Sequence, residues 1–135
     1  MKKTIFTALA LCAILSSCRS APEEPKADAT AREIIQMAQT EQNNNNSKNA
    51  LFYYGKLIQR YGTDTAVYVE GRFEIAHIYV KQKKYETAKP MLEEILTIYS
   101  KSQPGQLPGA FKKLAENDMK KILEAEEEKA RASKK

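Results

Sequence analysis

Phe73-Glu74-Ile75-Ala76-His77-Ile78-Tyr79-Val80-Lys81-Gln82-Lys83-Lys84-Tyr85-Glu86-Thr87-Ala88-Lys89-Pro90-Met91-Leu92-Glu93-Glu94-Ile95-Leu96 is the stretch on which the fold turns. With Val69 just upstream, its first part places Phe73, Ala76, Tyr79 and Val80 at three- and four-residue steps, the spacing that gathers side chains on one face of a helix. Four polar residues, Lys81 to Lys84, interrupt the pattern. It resumes with Ala88, Met91, Leu92, Ile95, Leu96 and Tyr99, so a second helix of about Tyr85 to Tyr99 is expected. Pro90 lies near the start of that helix, where few internal donors are lost, and at most a slight kink follows. A short polar break between two amphipathic helices makes an antiparallel hairpin.

Outward from this hairpin the same grammar repeats. Upstream, Ala50, Leu51, Tyr54, Leu57, Ile58 and Tyr61 form one stripe of a helix that Ser47 can cap and Gly62 ends. Thr63 or Asp64 can cap the helix that contains Phe73. Further upstream, Thr30 opens a weaker amphipathic helix with Ile34, Ile35, Met37 and Ala38. It ends at Asn43-Asn44-Asn45-Asn46, whose side chains compete for backbone hydrogen bonds and favour a turn. Downstream, Pro104-Gly105 and Pro108-Gly109 bracket a stiff loop. A last helix then carries Phe111, Leu114, Ala115, Ile122 and Leu123. Glu126 to Lys135 is nearly all charge and alanine and is expected to fray. No strand alternation survives, so the class is all-α.

The two hairpins are copies of one another. A shift of 38 residues brings Ile35 onto Phe73, Met37 onto Ile75 and Ala38 onto Ala76. It also brings Ala50 onto Ala88, Tyr54 onto Leu92, Leu57 onto Ile95, Ile58 onto Leu96 and Tyr61 onto Tyr99. Small residues meet small and large meet large, and 12 residues separate the small positions in each copy (38 to 50, 76 to 88). Small side chains let two antiparallel helices approach while the large ones fill the seam. With Ile75-Ala76, Tyr79, Tyr85, Ala88, Leu92 and Ile95, the second copy resembles the tetratricopeptide repeat. The first keeps Ala38, Ala50, Tyr54 and Leu57 but has Glu41 where that family usually has tyrosine. The alternative is a generic helical hairpin bundle. The resemblance implies about two stacked repeats, Ala31 to Ser100, with the last helix as a cap.

The other informative segment is the N-terminus. Met1-Lys2-Lys3 is positive, and Ile5 to Leu15 is uncharged and too short to span a bilayer, which takes roughly 20 apolar residues. Leu15-Ser16-Ser17-Cys18 resembles the lipobox of bacterial lipoproteins. That resemblance implies cleavage before Cys18 and a lipid on its sulfur. The expected organisation is a signal peptide at 1–17, a flexible tether at 18–29, a helical domain at 30–125 and a charged tail at 126–135. Processing would remove Lys2 and Lys3, leaving 20 of the 22 basic residues against 17 acidic ones. A bias that small, spread along the chain, gives no reason to expect nucleic acid. Of two cysteines, Cys12 leaves with the signal and Cys18 takes the lipid, so no disulfide framework is expected. Lipobox and lengthened repeats together, including Leu57-Ile58-Gln59-Arg60-Tyr61-Gly62, are similar to periplasmic tetratricopeptide lipoproteins of the outer-membrane assembly type.

Catalytic chemistry finds little support. One histidine, no cysteine beyond the lipid site, and no phosphate loop or metal-spaced cluster offer no convergent constellation. No enzyme activity, cofactor, metal or small-molecule substrate is expected. The repeat resemblance implies recognition, through a groove lined by the first helix of each hairpin. Its positions here are Arg32, Ile35, Gln39 and Gln42, followed by Glu70, Phe73, His77, Val80 and Lys81. Ile35 and Phe73 favour an amphipathic partner segment. The alternative for this surface is that the last helix, from Phe111, folds back and fills it. The expected function is a lipid-anchored adaptor for a protein partner in the envelope, at the outer membrane facing the periplasm. The alternative is a subunit permanently packed in an envelope assembly, with Phe73, Val80 and Phe111 as its interface.

Overall fold

A computed structural model of the chain describes residues 21–134. The expected signal segment and Cys18, the expected lipid site, lie outside the described residues. Five helices follow one another: α1 (Ala31–Asn43), α2 (Ser47–Tyr61), α3 (Thr65–Lys81), α4 (Tyr85–Lys101) and α5 (Gly109–Ala132). No strand occurs among the described residues. α1 packs on α2 and α3 on α4; α2 packs on α3, joining the hairpins, and α5 lies against both α4 and α3. The fold is all-α, two stacked antiparallel hairpins closed by a C-terminal helix.

Local chemistry fixes the helix starts. Thr30 and Glu33 form a reciprocal capping box, the Thr30 backbone N–H donating to the Glu33 carboxylate at 2.7 Å. The bonds from Thr30 hold the Glu33 carboxyl below its ordinary value. Asp64 caps α3 by accepting from the N–H groups of Ala66 and Val67 at 2.9 and 3.3 Å. Asn46, rather than Ser47, caps α2, accepting from the Asn49 N–H while its amide donates to Glu41 at 2.6 Å. An asparagine can do both at once, which a serine at the next position cannot. α4 runs unbroken through Pro90.

The 38-residue repeat extends to the turn backbones. Asn45 N–H donates to Gln42 O and Asn46 N–H to Glu41 O, at 2.9 and 2.8 Å. Thirty-eight residues later, Lys83 donates to Val80 O and Lys84 to Tyr79 O, both at 2.9 Å. These paired bonds satisfy the last carbonyls of α1 and α3 and require a left-handed residue between them. Asn45 and Lys83 supply it, at φ 55° and 58°. Asparagine tolerates that conformation, whereas lysine carries the full Cβ penalty. Lys83→Gly is therefore expected to stabilise the protein by about 0.5–1 kcal/mol, the relieved strain being partly offset by glycine's unfolded-state entropy. Urea unfolding measures it, and an unchanged or lowered midpoint would tell against this turn geometry.

Burial follows the same repeat. Ala38, Ala50, Ala76 and Ala88 are all fully buried, as are Tyr54, Leu57, Leu92 and Ile95. α3 is apolar on two faces. Val69, Phe73, Ala76 and Val80 join α4 and α5 in one core cluster, while Val67, Ile75 and Ile78 join α1 and α2 in another. A helix in the middle of a stack needs this double face. Gly71 lets α2 come close: a Cβ there would meet Ile58 Cγ1 at 3.0 Å and Leu57 Cδ2 at 3.2 Å.

Two expectations about the ends need correction. The stretch expected as a loose tether is docked from Pro25 onward. Arg60 donates to the carbonyls of Pro25 and Lys26 at 2.8 and 2.6 Å, and Tyr61 donates to that of Ala29 at 2.6 Å; Pro25 and Ala29 are buried. Composition alone missed this because the partner groups lie on the end of α2, more than thirty residues away. The tail expected to fray from Glu126 is helical through Ala132. Its alanines and long charged side chains are good helix formers, and Lys89 pairs with Glu126 at 2.8 Å.

Candidate functional site

The expected groove residues divide into three groups. Arg32, Ile35, Gln39 and Glu70 come together, with Ala31 and Gln36, around one open depression of about 650 Å³ between α1 and α3. Phe73, His77 and Val80 do not line it. Lys81 is exposed at the turn end of α3, beside a smaller depression shared with Gln42, Asn45 and Ser47.

Helix α5 is the reason the second group is absent. Phe73 and Val80 are only 3% and 7% exposed, which corrects the expectation that they are partly open. The Phe73 ring stacks on His77, with centroids 5.5 Å apart, and meets Phe111 of α5 at 5.7 Å. His77 Nδ1 lies 2.5 Å from Asp118 Oδ2, and Lys121 donates to the other Asp118 oxygen at 2.8 Å. Asp118 is 2% exposed, so the His77–Asp118 contact ties α5 to α3 inside the core. The last helix has taken the α3 part of the groove, the alternative that the sequence left open. Asp118 was missed although a signal existed: it falls on the buried stripe of Ala115 and Ile122, where a carboxylate requires a partner. The lone histidine was that partner.

What remains open is the face between α1 and α3. Polar contacts tie together the helices that carry it. Gln42 donates to Glu74 at 3.3 Å and accepts from the Tyr54 hydroxyl at 3.0 Å, tying α1 to both α3 and α2. Burial pushes the Tyr54 hydroxyl well up, helped by Glu74 and Glu70. Glu70 is half-buried, and burial, with the like charge of Glu74, raises its carboxyl above the ordinary value. It makes no ion pair or hydrogen bond with any described residue. Ile35 gives the opposite wall an apolar, partly exposed shelf, and Gln36, Gln39 and Arg32 stand exposed along its rim.

Glu70 thus charges at the expense of the fold. Its folded-state proton affinity exceeds the unfolded one, so its contribution is fully present below the ordinary glutamate pKa and is lost as pH rises through the raised value. Glu70→Gln should therefore raise the melting temperature at pH 7, and the gain should vanish near pH 4. A variant that melts lower at pH 7 would contradict the environment described for Glu70.

Among the described residues, no group of three His, Cys, Asp or Glu side chains could hold a metal ion, and no helix is long and apolar enough to cross a membrane. Another open depression, about 440 Å³, lies between the α3–α4 turn and α5. Its lysines 83, 84 and 129 alternate with Glu86 and Glu126, Glu126 being already paired with Lys89. Its charged groups are exposed, and none is half-buried without a partner as Glu70 is.

The described residues thus define an all-helical stack of two matched hairpins with a terminal helix and one mixed polar–apolar groove. A protein of Treponema pallidum (strain Nichols), described only as an uncharacterized protein, is 31% identical over 110 residues, 80% of this chain and 44% of the relative. The chain spans less than half the length of that curated relative. No protein-family model matches the chain. No solved structure matches it.

Proposed function

We propose that the chain is a lipid-anchored adaptor of the bacterial envelope, built on tetratricopeptide-like repeats and holding a protein partner in the α1–α3 groove. The observation that carries this reading is the groove itself. Four of the nine groove positions that the repeat resemblance implies, Arg32, Ile35, Gln39 and Glu70, surround one open depression that no other part of the described chain covers. Recognition by such a surface needs no catalytic group, cofactor or metal. An apolar shelf beside fixed polar groups suits a segment of a protein partner.

The anchor rests on Leu15-Ser16-Ser17-Cys18. Two or three acyl chains on Cys18 give near-permanent attachment, because each buried CH₂ contributes about 0.8 kcal/mol. With Pro25 docked on α2 and Glu24 paired with Lys56 at 2.7 Å, Cys18 can lie at most about 25 Å from Pro25, at about 3.5 Å per extended residue. The α1–α2 end of the stack, and the groove with it, would then ride close to the membrane, most simply the outer membrane on its periplasmic side. The competing reading, a permanently packed subunit joined through Phe73, Val80 and Phe111, loses most of that surface because Phe73 and Val80 are already buried in the cluster they share with α4 and α5.

Cys18→Ser tests the anchor. Metabolic labelling with a fatty-acid analogue should mark the wild type and leave the variant unlabelled and uncleaved. Label retained by the variant would sink the lipoprotein reading.

A further inference from the structure

We infer that the α1–α3 groove selects a partner segment carrying one lysine or arginine side chain next to an apolar one, the cation meeting Glu70 and the apolar residue lying on Ile35. The inference rests on the groove being the partner site, as proposed above, and adds the chemistry of what enters it.

Glu70 is the one charged side chain facing the depression from α3, half-buried and without a hydrogen bond or ion pair among the described residues. Other interhelical carboxylates of the domain are matched: Glu94 by Arg72 at 2.8 Å and by the Tyr68 hydroxyl, Asp118 by His77 and Lys121, Glu126 by Lys89. Glu70 has instead a like-charged neighbour, Glu74, whose carboxylate is satisfied only by the neutral Gln42 amide. Arg32 stands at the exposed rim of the same depression and forms no ion pair with Glu70. One carboxylate facing a partly desolvated groove, with the charge of Glu74 close by, attracts a cation more strongly than the same carboxylate in open water. None of the described residues supplies that cation, so the complement comes from the ligand.

The surroundings narrow the class. Ile35 offers an apolar anchor within the same depression, and the Gln36 and Gln39 amides both donate and accept, as a peptide backbone requires. Arg32 at the rim repels a run of basic residues, which favours a single cation over a polybasic segment. An acidic segment would have to place its charge against Glu70 and Glu74, which disfavours it.

Four fluorescent peptides of one amphipathic sequence, differing only in having Lys, Arg, Gln or Glu beside a central leucine, test this by polarisation on the full chain. The lysine and arginine peptides should bind at least tenfold tighter than the glutamine peptide, about 1.4 kcal/mol, and the glutamate peptide should bind weakest. Glu70→Gln should erase that ranking without lowering the melting temperature, so lost discrimination is not lost folding. Glu70→Lys should invert it. Equal affinities on the wild type, with Ile35→Asp still abolishing binding, would overturn the cation preference and leave the groove reading standing. Binding indifferent to Ile35→Asp would overturn both. Absence of binding by all four peptides would overturn the inference, the groove reading then resting on crosslinking in cells.

Discussion

Phe73→Ala is expected to destabilise the protein by about 3–5 kcal/mol, the range for emptying a buried aromatic site. Phe73 is 3% exposed, stacked on His77 and in contact with Phe111. Truncation would leave a cavity where α3, α4 and α5 meet and would loosen the seat of the buried Asp118. For a domain of this size each kcal/mol lowers the melting temperature by roughly 4–8 °C, so the variant should melt far below the wild type. Any loss of partner binding in it would follow from unfolding. Ile35, on the open wall, is the residue whose truncation reports on recognition. Urea unfolding followed by circular dichroism measures the effect, and a loss under about 1 kcal/mol would show that α5 does not cover Phe73.

Ala88→Leu is expected to cost about 1–3 kcal/mol, because overpacking a filled seam forces side chains off rotamer and shifts backbone. Ala88 and Ala76 are both fully buried in the cluster between α3 and α4. Their counterparts Ala50 and Ala38 are equally buried in the first hairpin. The repeat makes a sharper demand than either site alone: Ala50→Leu should cost about as much as Ala88→Leu. Unchanged urea midpoints in both would contradict the 38-residue register, and tolerance at one site alone would confine the close crossing to a single hairpin.

The hairpins were legible because their information is local. The stripes of Ala50, Tyr54 and Leu57 and of Ala88, Leu92 and Ile95 fall at helical spacing, and these residues are buried in the structure. Even the Asn43–Asn46 turn announced itself, through side chains that compete for backbone hydrogen bonds. At its counterpart the break at Lys81 to Lys84 was legible from polarity, but the left-handed residue Lys83 was not, because lysine does not favour that conformation. The site was half legible for a related reason. The repeat resemblance implies Ile35 and Glu70 for the groove wall, but it is silent on whether a distant helix will cover Phe73. That depended on Phe111 and Asp118, about forty residues away. The docking of Pro25 by Arg60 was hidden likewise, since proline- and charge-rich composition describes the intrinsic tendency of a segment and not the hydrogen bonds waiting for it.

The central claim is that a protein of the envelope sits in the groove between α1 and α3. A photo-crosslinking amino acid placed at Ile35 in intact cells, with Gln59 on the exposed side of α2 as the control position, tests it most directly. The account predicts a crosslink to a discrete envelope protein from position 35, none from position 59, and loss of the position-35 adduct when Glu70→Lys is added. Crosslinks equal at the two positions, or absent at 35 in a protein that is folded and exported, would contradict it.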